Sequence, residues 1–444
     1  MKILFIRPAM LGKTSKDAMM PLVFAIIKPL TPADIDIEFV DERVEPLPEQ
    51  VNADLIAMTV ETFSARRAYH LALNYRRQGI PVIMGGFHPT MLPEECLCYC
   101  DAVIVGEAED TWPQVMTDLR NHKLKKRYES SGGVDLSGIA YDYGVFHNKK
   151  YNPIGLLQFS RGCKFSCDFC SVHAFFKDRV RTKSITAIVE ELKAMKERYV
   201  FFIDDNLFSD EKAARELFQA LVPLKKKWVC QISIDVAKNR DLLKLMKRSG
   251  CMVVLIGFES LNVENLKQMG KGANVKYNDY EEIISNIYDA GIMIYGTFVV
   301  GYDHDTVEST RELVDFALRH KFAIANFNPL MPMPGTRLHE RLKAEGRLTY
   351  QDWWINEDYR YGDAMLTPKA MSGQELLESC KTARYRFNSY PNIFKRLLHL
   401  RANAANPEHI LIFMLANLIS RSEIRAKQGR KLGGDNCDIN LDQT

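Results

Sequence analysis

Short apolar runs alternate with amphipathic stretches along two long blocks of this chain, residues 1–127 and residues 154–345. Runs that are apolar throughout are typical of strands buried on both faces of a parallel sheet. In the first block the predicted strands are 2–7, 35–42, 53–60, 80–86 and 101–107, and the predicted helices are 17–30, 63–79 and 110–123. This block therefore predicts a doubly wound parallel sheet, which is a Rossmann-like α/β domain.

The second block repeats the strand–helix unit six times. Its predicted strands are 154–159, 199–205, 229–235, 252–260, 292–301 and 322–330. Eight units make a full barrel, so six predict an open, partial (β/α)6 barrel. Residues 128–153 are polar and contain several glycines, and they predict a connector with one short hairpin. Residues 346–444 predict a mainly helical C-terminal domain, with helices at 374–387 and 409–427.

Small and polar residues collect at the carboxyl ends of the first block's strands, where doubly wound sheets bind their ligands. Glycine at such a position lets a ligand approach the backbone closely. No GxGxxG or GxxxxGK[ST] fingerprint is present, which weighs against a nucleotide ligand. The residues that we predict to contact a ligand there are Pro8, Thr59, Thr62, Gly85, Gly86, His88, Thr90, Gly106 and Glu107.

Three cysteines, Cys163, Cys167 and Cys170, directly follow the first predicted barrel strand. Thiolates this close in sequence can converge on one soft metal centre. One interpretation is a structural zinc site with His173 as the fourth ligand, because zinc favours closed Cys3His sets. The other is a four-iron cluster that lacks one protein ligand. Cys96, Cys98 and Cys100 do not share a helix face, and we interpret them as packing residues.

Charge and hydropathy limit the kinds of partner. The net charge of +3 is small for 444 residues and indicates no bulk polyanion partner. The sequence contains no run of 18 apolar residues, so we predict no helix that spans a membrane. The first residues do not have the pattern of an export signal. With ten cysteines in no disulfide pattern, we expect a reducing, cytoplasmic location.

The CxxxCxxC spacing, with Phe169 just before the third cysteine, resembles that of the radical S-adenosylmethionine superfamily. The resemblance covers about residues 154–345. It implies a 4Fe–4S cluster on Cys163, Cys167 and Cys170, whose fourth iron is chelated by S-adenosylmethionine. It also implies a partial (β/α)6 barrel. The further residues that it implies as S-adenosylmethionine contacts are Phe169, Arg181, Asp204, Asp205, Glu259 and Ser260.

The segment 85–110 resembles the cobalamin-binding domain that precedes many radical S-adenosylmethionine enzymes. The matching pieces are Gly85-Gly-Phe-His-Pro-Thr90, Pro93-Glu94-Glu95 and the stretch 101–107. The DxHxxG loop, whose histidine binds cobalt in the mutases, is absent, and His88 has a different context. The resemblance therefore implies cobalamin bound base-off, with no histidine on the cobalt.

Together the two resemblances imply a cobalamin-dependent radical enzyme that methylates an unactivated carbon of a small-molecule or lipid-like biosynthetic intermediate. A 5′-deoxyadenosyl radical would take the hydrogen atom, methylcobalamin would give the methyl group, and flavodoxin or ferredoxin would supply the electron. A radical cyclase or rearrangement enzyme, similar to the bacteriochlorophyll cyclase or to enzymes of hopanoid maturation, is the first alternative. An alternative of another class is a zinc-bound nucleic-acid-binding protein, in which Trp353, Trp354 and Tyr385 stack on bases beside the basic tail.

The C-terminal region is strongly basic, with eleven Lys and Arg against two acids between Lys381 and Lys431. A solvated helical surface is the simpler interpretation, and recognition of an anionic or amphiphilic substrate is the functional one. The apolar run 410–419 predicts a buried helix core. It is too short to span a membrane, although peripheral contact with one is compatible with its sequence.

Overall fold

The structure is a computed structural model that describes residues 1–177, 179–435 and 437–439. Its first unit is a six-stranded, all-parallel sheet in the order β2-β1-β3-β4-β5-β6. The strands are β1 (Lys2–Arg7), β2 (Asp36–Asp41), β3 (Leu55–Thr59), β4 (Val82–Gly85), β5 (Ala102–Val105) and β6 (Arg127–Glu129). Strand β1 pairs with both β2 and β3, so that Phe5 lies between Phe39 and Ala57.

Helices cover both faces of this first sheet. They are α1 (Leu22–Leu30), α2 (Ala65–Arg77), α3 (Phe87–Met91), α4 (Pro93–Leu97) and α5 (Trp112–Arg120). One face packs against α1 and α5, and the other packs against α2. The prediction of a doubly wound parallel sheet is confirmed.

The second sheet has six parallel strands in the order β14-β13-β12-β11-β10-β7, and a two-stranded antiparallel pair, β8–β9, lies beside it. Its strands β7 and β14 are edges, so the barrel is open, as predicted. The strands of this region are β7 (Ile154–Leu157), β8 (Ser160–Arg161), β9 (Arg181–Thr182), β10 (Tyr199–Phe202), β11 (Lys227–Ile232), β12 (Cys251–Glu259), β13 (Met293–Val300) and β14 (Ile324–Pro329).

Among the described residues, nine helices belong to this barrel region and three more to the C-terminal region. The barrel helices are α6 (Ser171–Phe176), α7 (Ile185–Ala194), α8 (Glu211–Leu221), α9 (Arg240–Ser249), α10 (Val263–Gln268), α11 (Gly272–Lys276), α12 (Tyr280–Asp289), α13 (Val307–Arg319) and α14 (Arg337–Ala344). The C-terminal helices are α15 (Gly373–Phe387), α16 (Tyr390–Leu397) and α17 (Pro407–Lys427). Side chains of all three C-terminal helices join the barrel's hydrophobic core.

Several local predictions were wrong. Strand β6 crosses the predicted boundary at residue 127, and residues 130–153 contain two short 3-10 turns, Leu136–Gly138 and Tyr143–Phe146, where a hairpin was expected. The stretch after Gly86, for which no element was predicted, forms two short helices, α3 and α4, which have too few residues for a periodic pattern. Trp353 and Trp354 are 0% and 1% exposed in the core beside α2, so they cannot stack on bases.

Asp303, just after β13, ties the barrel to the C-terminal region. Its carboxylate accepts hydrogen bonds from Gln268 Nε2 (2.7 Å), Arg347 Nη1 (2.8 Å) and Lys369 Nζ (2.7 Å). Burial alone would raise the pKa of Asp303, but the bonds from Lys369, Gln268 and Arg347 hold it well below its usual value. This network therefore stabilises the fold when Asp303 is ionised.

We expect Asp303→Asn to lower the free energy of unfolding by about 1–2 kcal/mol at pH 7, because the charge-assisted bonds are lost. Since the pKa is depressed in the folded state, the contribution is complete above the unfolded pKa of about 4 and is lost as the pH falls below it. The thermal unfolding midpoints of the wild type and of Asp303→Asn should thus differ most at pH 7 and converge towards pH 2. A constant difference across this range would contradict the assignment, and Glu264→Gln on the exposed face of α10 is the control.

Candidate functional site

Cys163, Cys167 and Cys170 line one cavity of about 160 Å³ at the carboxyl end of the barrel strands. We call it the cysteine cavity. Cys167 is buried, and the other two are partly exposed. Burial raises the pKa of the Cys167 thiol to about 11, and the nearby Lys271 ammonium acts in the opposite direction. Because metals bind thiolates, occupation of this site must release that proton.

The backbone that enters the cysteine loop is held by two adjacent carboxylates at the end of β10. Asp204 accepts hydrogen bonds from Phe159 N (3.1 Å) and from the backbone and hydroxyl groups of Ser160. Asp205 accepts from Gly162 N (2.9 Å) and also lines the cysteine cavity. Gly162 has φ +87°, and a Cβ there would lie 2.0 Å from a backbone oxygen, so only glycine fits.

Glu259 and Lys271 form the opposite wall of the cysteine cavity, with Oε1 and Nζ 3.0 Å apart. A register shift between Gly257 and Glu259, together with φ +62° at Glu259, turns this carboxylate out of strand β12. Burial by itself would lower the pKa of Lys271, but Glu259 more than offsets it and keeps the ammonium charged. The wall therefore presents a fixed ion pair towards the thiols.

Buried polar atoms in the same cavity indicate a ligand that can form hydrogen bonds. Ser233 Oγ and Asn206 Nδ2 are buried and have no hydrogen-bond partner among the described residues, and both residues line the cavity. Such groups are costly unless something satisfies them. Three thiols beside unsatisfied polar groups fit an iron–sulfur cluster with a polar organic ligand on its open iron.

A single zinc ion requires four donors at about 2.0–2.3 Å from one point. Within residues 1–177, 179–435 and 437–439, no group of three His, Cys, Asp or Glu side chains is placed to hold one metal ion. The metal content of the purified protein distinguishes zinc from an iron–sulfur cluster.

Of the other predicted S-adenosylmethionine contacts, Phe169 and Glu259 line the cysteine cavity, but Asp204, Ser260 and Arg181 do not. Asp204 is engaged by the backbone of the cysteine loop. Ser260 Oγ accepts from Asn262 N (3.1 Å) and stabilises a turn. Arg181 Nη1 lies 2.8 Å from Glu107 Oε2 and donates to Val134 O (3.1 Å), away from the thiols.

A second cavity, of about 360 Å³, separates the first sheet from the barrel, and we call it the interdomain cavity. On the first sheet's side its lining includes Thr59, Gly85, Gly86, Gly106 and Glu107. On the barrel side its lining includes Gln158, Arg161, Phe175, Phe176 and Ile203. Gly86 has φ +108°, and a Cβ there would lie 3.0 Å from Val60 O. This glycine edge leaves room for a flat or extended ligand, as a cobalamin site requires.

Thr90 positions the glycine edge, because its hydroxyl donates to Gly86 O (2.7 Å) and accepts from Gly106 N (2.9 Å). His88 was expected to contact the ligand, but it is fully buried outside the cavity lining. Its Nε2 lies 2.8 Å from Tyr69 Oη and 3.3 Å from Glu95 Oε1. Thr62 is buried in a 3-10 turn and does not line the cavity either.

A buried ion-pair network joins the two sides of the interdomain cavity. Glu107, at the end of β5, lies 2.6 Å from Arg161 Nη1 and 2.8 Å from Arg181 Nη1. Arg161 Nη2 also bonds Glu109 at 2.5 Å. Burial would lower the pKa of Arg161, but Glu109 and Glu107 raise it above its ordinary value. The network fixes the glycine edge against the strand that begins the cysteine loop.

A third cavity, of about 630 Å³, lies between the first sheet, the end of β14 and the C-terminal helices, and we call it the cationic cavity. Arg7 and Glu61, an ion pair at 2.6 Å, line both this cavity and the interdomain cavity. Pro8, a predicted contact, lies here. Six Lys or Arg side chains line the cavity against three acids. The cations are Arg7, Lys13, Lys16, Arg43, Arg384 and Lys427, and the acids are Asp17, Glu61 and Glu423.

Arg384 is held in the wall of this cavity by neutral groups alone. Its Nε donates to Phe327 O (2.8 Å) and its Nη1 to Gln428 Oε1 (3.1 Å), and among the described residues no carboxylate is within ion-pair distance of it. Apolar and aromatic side chains such as Phe63, Met331 and Tyr361 complete the walls. The cavity therefore suits an apolar molecule that carries an anionic group.

Sequence reasoning missed several residues of these sites. Lys271 could have been noticed as a lone cation between two glycines, in MGKGAN, one helix after the Glu259 strand. Arg161 precedes the first cysteine by two residues, but nothing local indicates a partner on another domain. Arg384 belongs to a helix rich in Lys and Arg, and only the tertiary structure distinguishes it from its neighbours.

Two protein-family models match the chain: the B12 binding domain over residues 29–116, and the radical SAM superfamily over residues 157–317. The first match lies within the glycine-edged sheet, and the second contains the cysteine loop and the barrel strands β10 to β13. The family matches thus fall on the two sides of the interdomain cavity.

The chain is similar to whole proteins as well. It is 32% identical to bacteriochlorophyllide d C-12(1)-methyltransferase of Chlorobaculum tepidum over 81% of this chain and 80% of that one. It is 24% identical to the anaerobic magnesium-protoporphyrin IX monomethyl ester cyclase of Cereibacter sphaeroides, over 78% and 61% of the two chains. The fold matches the cobalamin-dependent S-adenosylmethionine radical enzyme OxsB, with a TM-score of 0.62 and 14% identity over 95% and 72% of the chains.

Proposed function

Because this chain belongs to the cobalamin-dependent radical S-adenosylmethionine enzymes, we propose that it methylates an unactivated carbon of a small biosynthetic intermediate. The observation that carries the proposal is that the interdomain cavity is lined by the glycine edge on one side and, on the other, by Arg161, Phe175 and Phe176, which flank the cysteine loop. Ligands held at both edges would then lie on either side of a substrate. The methyltransferase relative at 32% identity supports methyl transfer over cyclisation.

The cofactors of this family are a 4Fe–4S cluster, S-adenosylmethionine and cobalamin, and the residues present fit all three. When bound, the cluster with S-adenosylmethionine removes a hydrogen atom from the substrate carbon and cobalamin supplies the methyl group. We assign Cys163, Cys167 and Cys170 to the cluster. Asn206 and Ser233 offer hydrogen bonds to S-adenosylmethionine, and the ion pair of Glu259 and Lys271 faces the same ligand.

The glycines at the ends of β4 and β5 leave the backbone accessible to cobalamin. The Thr90 hydroxyl joins the two strand ends through its hydrogen bonds with Gly86 O and Gly106 N. His88 is retained by Tyr69 and Glu95 and does not line the cavity, which supports a cobalt without a histidine ligand. The apolar Phe175 and Phe176 on the barrel side exclude water from the space between the two cofactors. An external one-electron donor, flavodoxin or ferredoxin, is part of this proposal.

We place the substrate in the cationic cavity and the adjoining space beside Arg7 and Glu61. Arg384 would hold an anionic group of the substrate, since a guanidinium with only neutral partners is available for a carboxylate. Methionine and aromatic side chains would contact the apolar body. The substrate class that fits is therefore a largely apolar molecule with at least one carboxylate.

The test uses the reconstituted enzyme with methyl-labelled S-adenosylmethionine and a reductant, with apolar carboxylic acids as candidate substrates. Methyl transfer predicts equimolar 5′-deoxyadenosine and labelled product. Deoxyadenosine with an unlabelled, cyclised product would instead support the cyclase alternative, which the relative from Cereibacter sphaeroides motivates. Arg384→Gln should raise KM by about 10–100-fold with kcat little changed, because one charge-assisted hydrogen bond is lost. Lys381→Gln, on the exposed part of the same helix, is the matched control.

A further inference from the structure

Exposed apolar side chains are concentrated in one part of the molecule. Among the described residues ten large hydrophobic side chains are exposed, and eight of them lie between Tyr390 and Leu418. Single exposed leucines are common on protein surfaces, but a contiguous apolar patch marks an interaction site. We call this patch the α16–α17 face.

Helix α17 has a buried side and, nearly opposite to it, an exposed apolar side. Phe413 and Asn417 pack into the protein at a spacing of four residues, whereas Leu411, Leu415 and Leu418 follow the spacing of one helix face and are 55%, 51% and 44% exposed. At 100° per residue these two sets point in nearly opposite directions. The sequence-based expectation that the run 410–419 is a buried core is therefore correct for only one side.

Helix α16 and the turn after it extend the same surface. Tyr390 and Phe394 are one helical turn apart and exposed, while Ile393 and Arg396 on the other side are buried. Leu398 and Leu400 follow the helix and are 66% and 74% exposed. The patch is thus formed by two helices and the segment that joins them.

The patch is displayed on a rigid support. The buried Arg396 guanidinium donates to Phe322 O (2.9 Å), Ala323 O (2.8 Å) and Asn417 Oδ1 (2.8 Å), which joins α16, α17 and the segment just before strand β14. Its guanidinium also lies 3.7 Å from the centre of the Phe387 ring. The exposed leucines are therefore fixed in place, and local unfolding is not required to present them.

Exposed positive charge lies beside the patch. The segment 381–431 has eleven Lys and Arg against two acids, although Lys381, Arg386, Arg401 and Lys427 form ion pairs with acids and Arg396 is buried. Lys395 and Arg425 are exposed beside the leucines. No helix in the described part of the chain is long and apolar enough to cross a bilayer. A second copy of the chain would bring like charges together across such a face, whereas anionic headgroups would complement them.

We propose that the α16–α17 face docks on the surface of a membrane that contains anionic lipids. Leucine and aromatic side chains enter the boundary between headgroups and acyl chains, and the surrounding Lys and Arg side chains bind phosphate groups. Helix α17 lies in the plane of the interface, with its Phe413 side against the protein. This surface role does not depend on the reaction that the enzyme catalyses.

The test is co-sedimentation of the full, reconstituted chain with vesicles of phosphatidylglycerol or of phosphatidylcholine. We expect binding to phosphatidylglycerol at least about 10-fold tighter than to phosphatidylcholine, and weaker binding at high salt. The triple variant Leu411→Ser, Leu415→Ser, Leu418→Ser should lose at least about 10-fold in affinity, because three apolar side chains no longer enter the lipid. Lys395→Gln should weaken binding to phosphatidylglycerol by about fivefold.

Val222→Ser, which changes an exposed apolar side chain on another surface, should bind as the wild type does. Thermal unfolding of the triple variant verifies that it is folded, since its three positions are exposed. The proposal is overturned if a folded triple variant binds phosphatidylglycerol as tightly as the wild type. It is also overturned if the wild type is a dimer, the variant is a monomer and neither sediments with vesicles, because the face would then pair two copies.

Discussion

Replacing Cys167 with alanine is expected to lower the iron content of the anaerobically reconstituted protein from about four irons per chain to less than one. Cys167 is the most buried of the three cysteines that line the cysteine cavity. With one thiol removed, only two remain for a cluster that already lacks a fourth protein ligand. Iron and sulfide analysis, together with the visible absorption of the cluster, measures the result without any substrate.

Two variants serve as controls for the iron count. Cys98→Ser changes an exposed cysteine directly after α4 that lies outside the cavity lining, so it should retain all of the iron. His173→Ala should retain it as well, because a four-iron cluster does not need a histidine there. If Cys167→Ala kept its iron, or if the wild type held stoichiometric zinc without sulfide, the assignment of the three cysteines would be wrong.

Glu107→Gln is expected to lower the free energy of unfolding by about 3 kcal/mol. The Glu107 side chain is 5% exposed and neutralises two arginines, and removal of one partner from a buried ion network typically costs about 3–5 kcal/mol. We expect the lower end of this range because Arg161 retains its ion pair with Glu109. Chemical unfolding followed by circular dichroism measures the effect, and limited proteolysis near residues 130–153 shows whether the two sheets separate first.

The matched control is Glu129→Gln on strand β6 in the same sheet. Glu129 pairs with Arg127 at 2.6 Å, but both side chains are well exposed, so its loss should change stability by less than about 1 kcal/mol. Equal effects of the two substitutions would mean that the network across the interdomain cavity contributes nothing beyond a surface pair.

The strands and the cysteine loop could be predicted because their signals are local. An apolar run such as AVIV, or three cysteines within eight residues, carries its meaning in adjacent positions. Asp204 and His88 could not be assigned in this way, since the direction of a side chain at the end of a strand depends on the backbone it meets. Asp204 binds the cysteine loop's backbone, and His88 turns towards Tyr69.

The prediction that residues 410–419 of helix α17 form a buried core was correct for only one side of the helix, for a different reason. Its sequence is apolar around most of its circumference, and periodicity identifies a buried face only when the other face is polar. Arg161, Glu107 and Arg181 were similarly unpredictable as a group, because their contacts join segments that are about 50 or more residues apart. Ion pairs between residues that are distant in sequence cannot be predicted from a local sequence pattern.

Helix α17 belongs both to the exposed face and to the cationic cavity, whose lining includes Ser422, Glu423, Ala426 and Lys427 near the end of this helix. The helix has 21 residues and is about 30 Å long, so the lipid-facing leucines and the cavity wall lie on one continuous element. A docked enzyme could then take up an apolar acid that is already dissolved in the bilayer. Its rate would depend on the mole fraction of substrate in the lipid, and adding inert lipid at a fixed amount of substrate would slow the reaction.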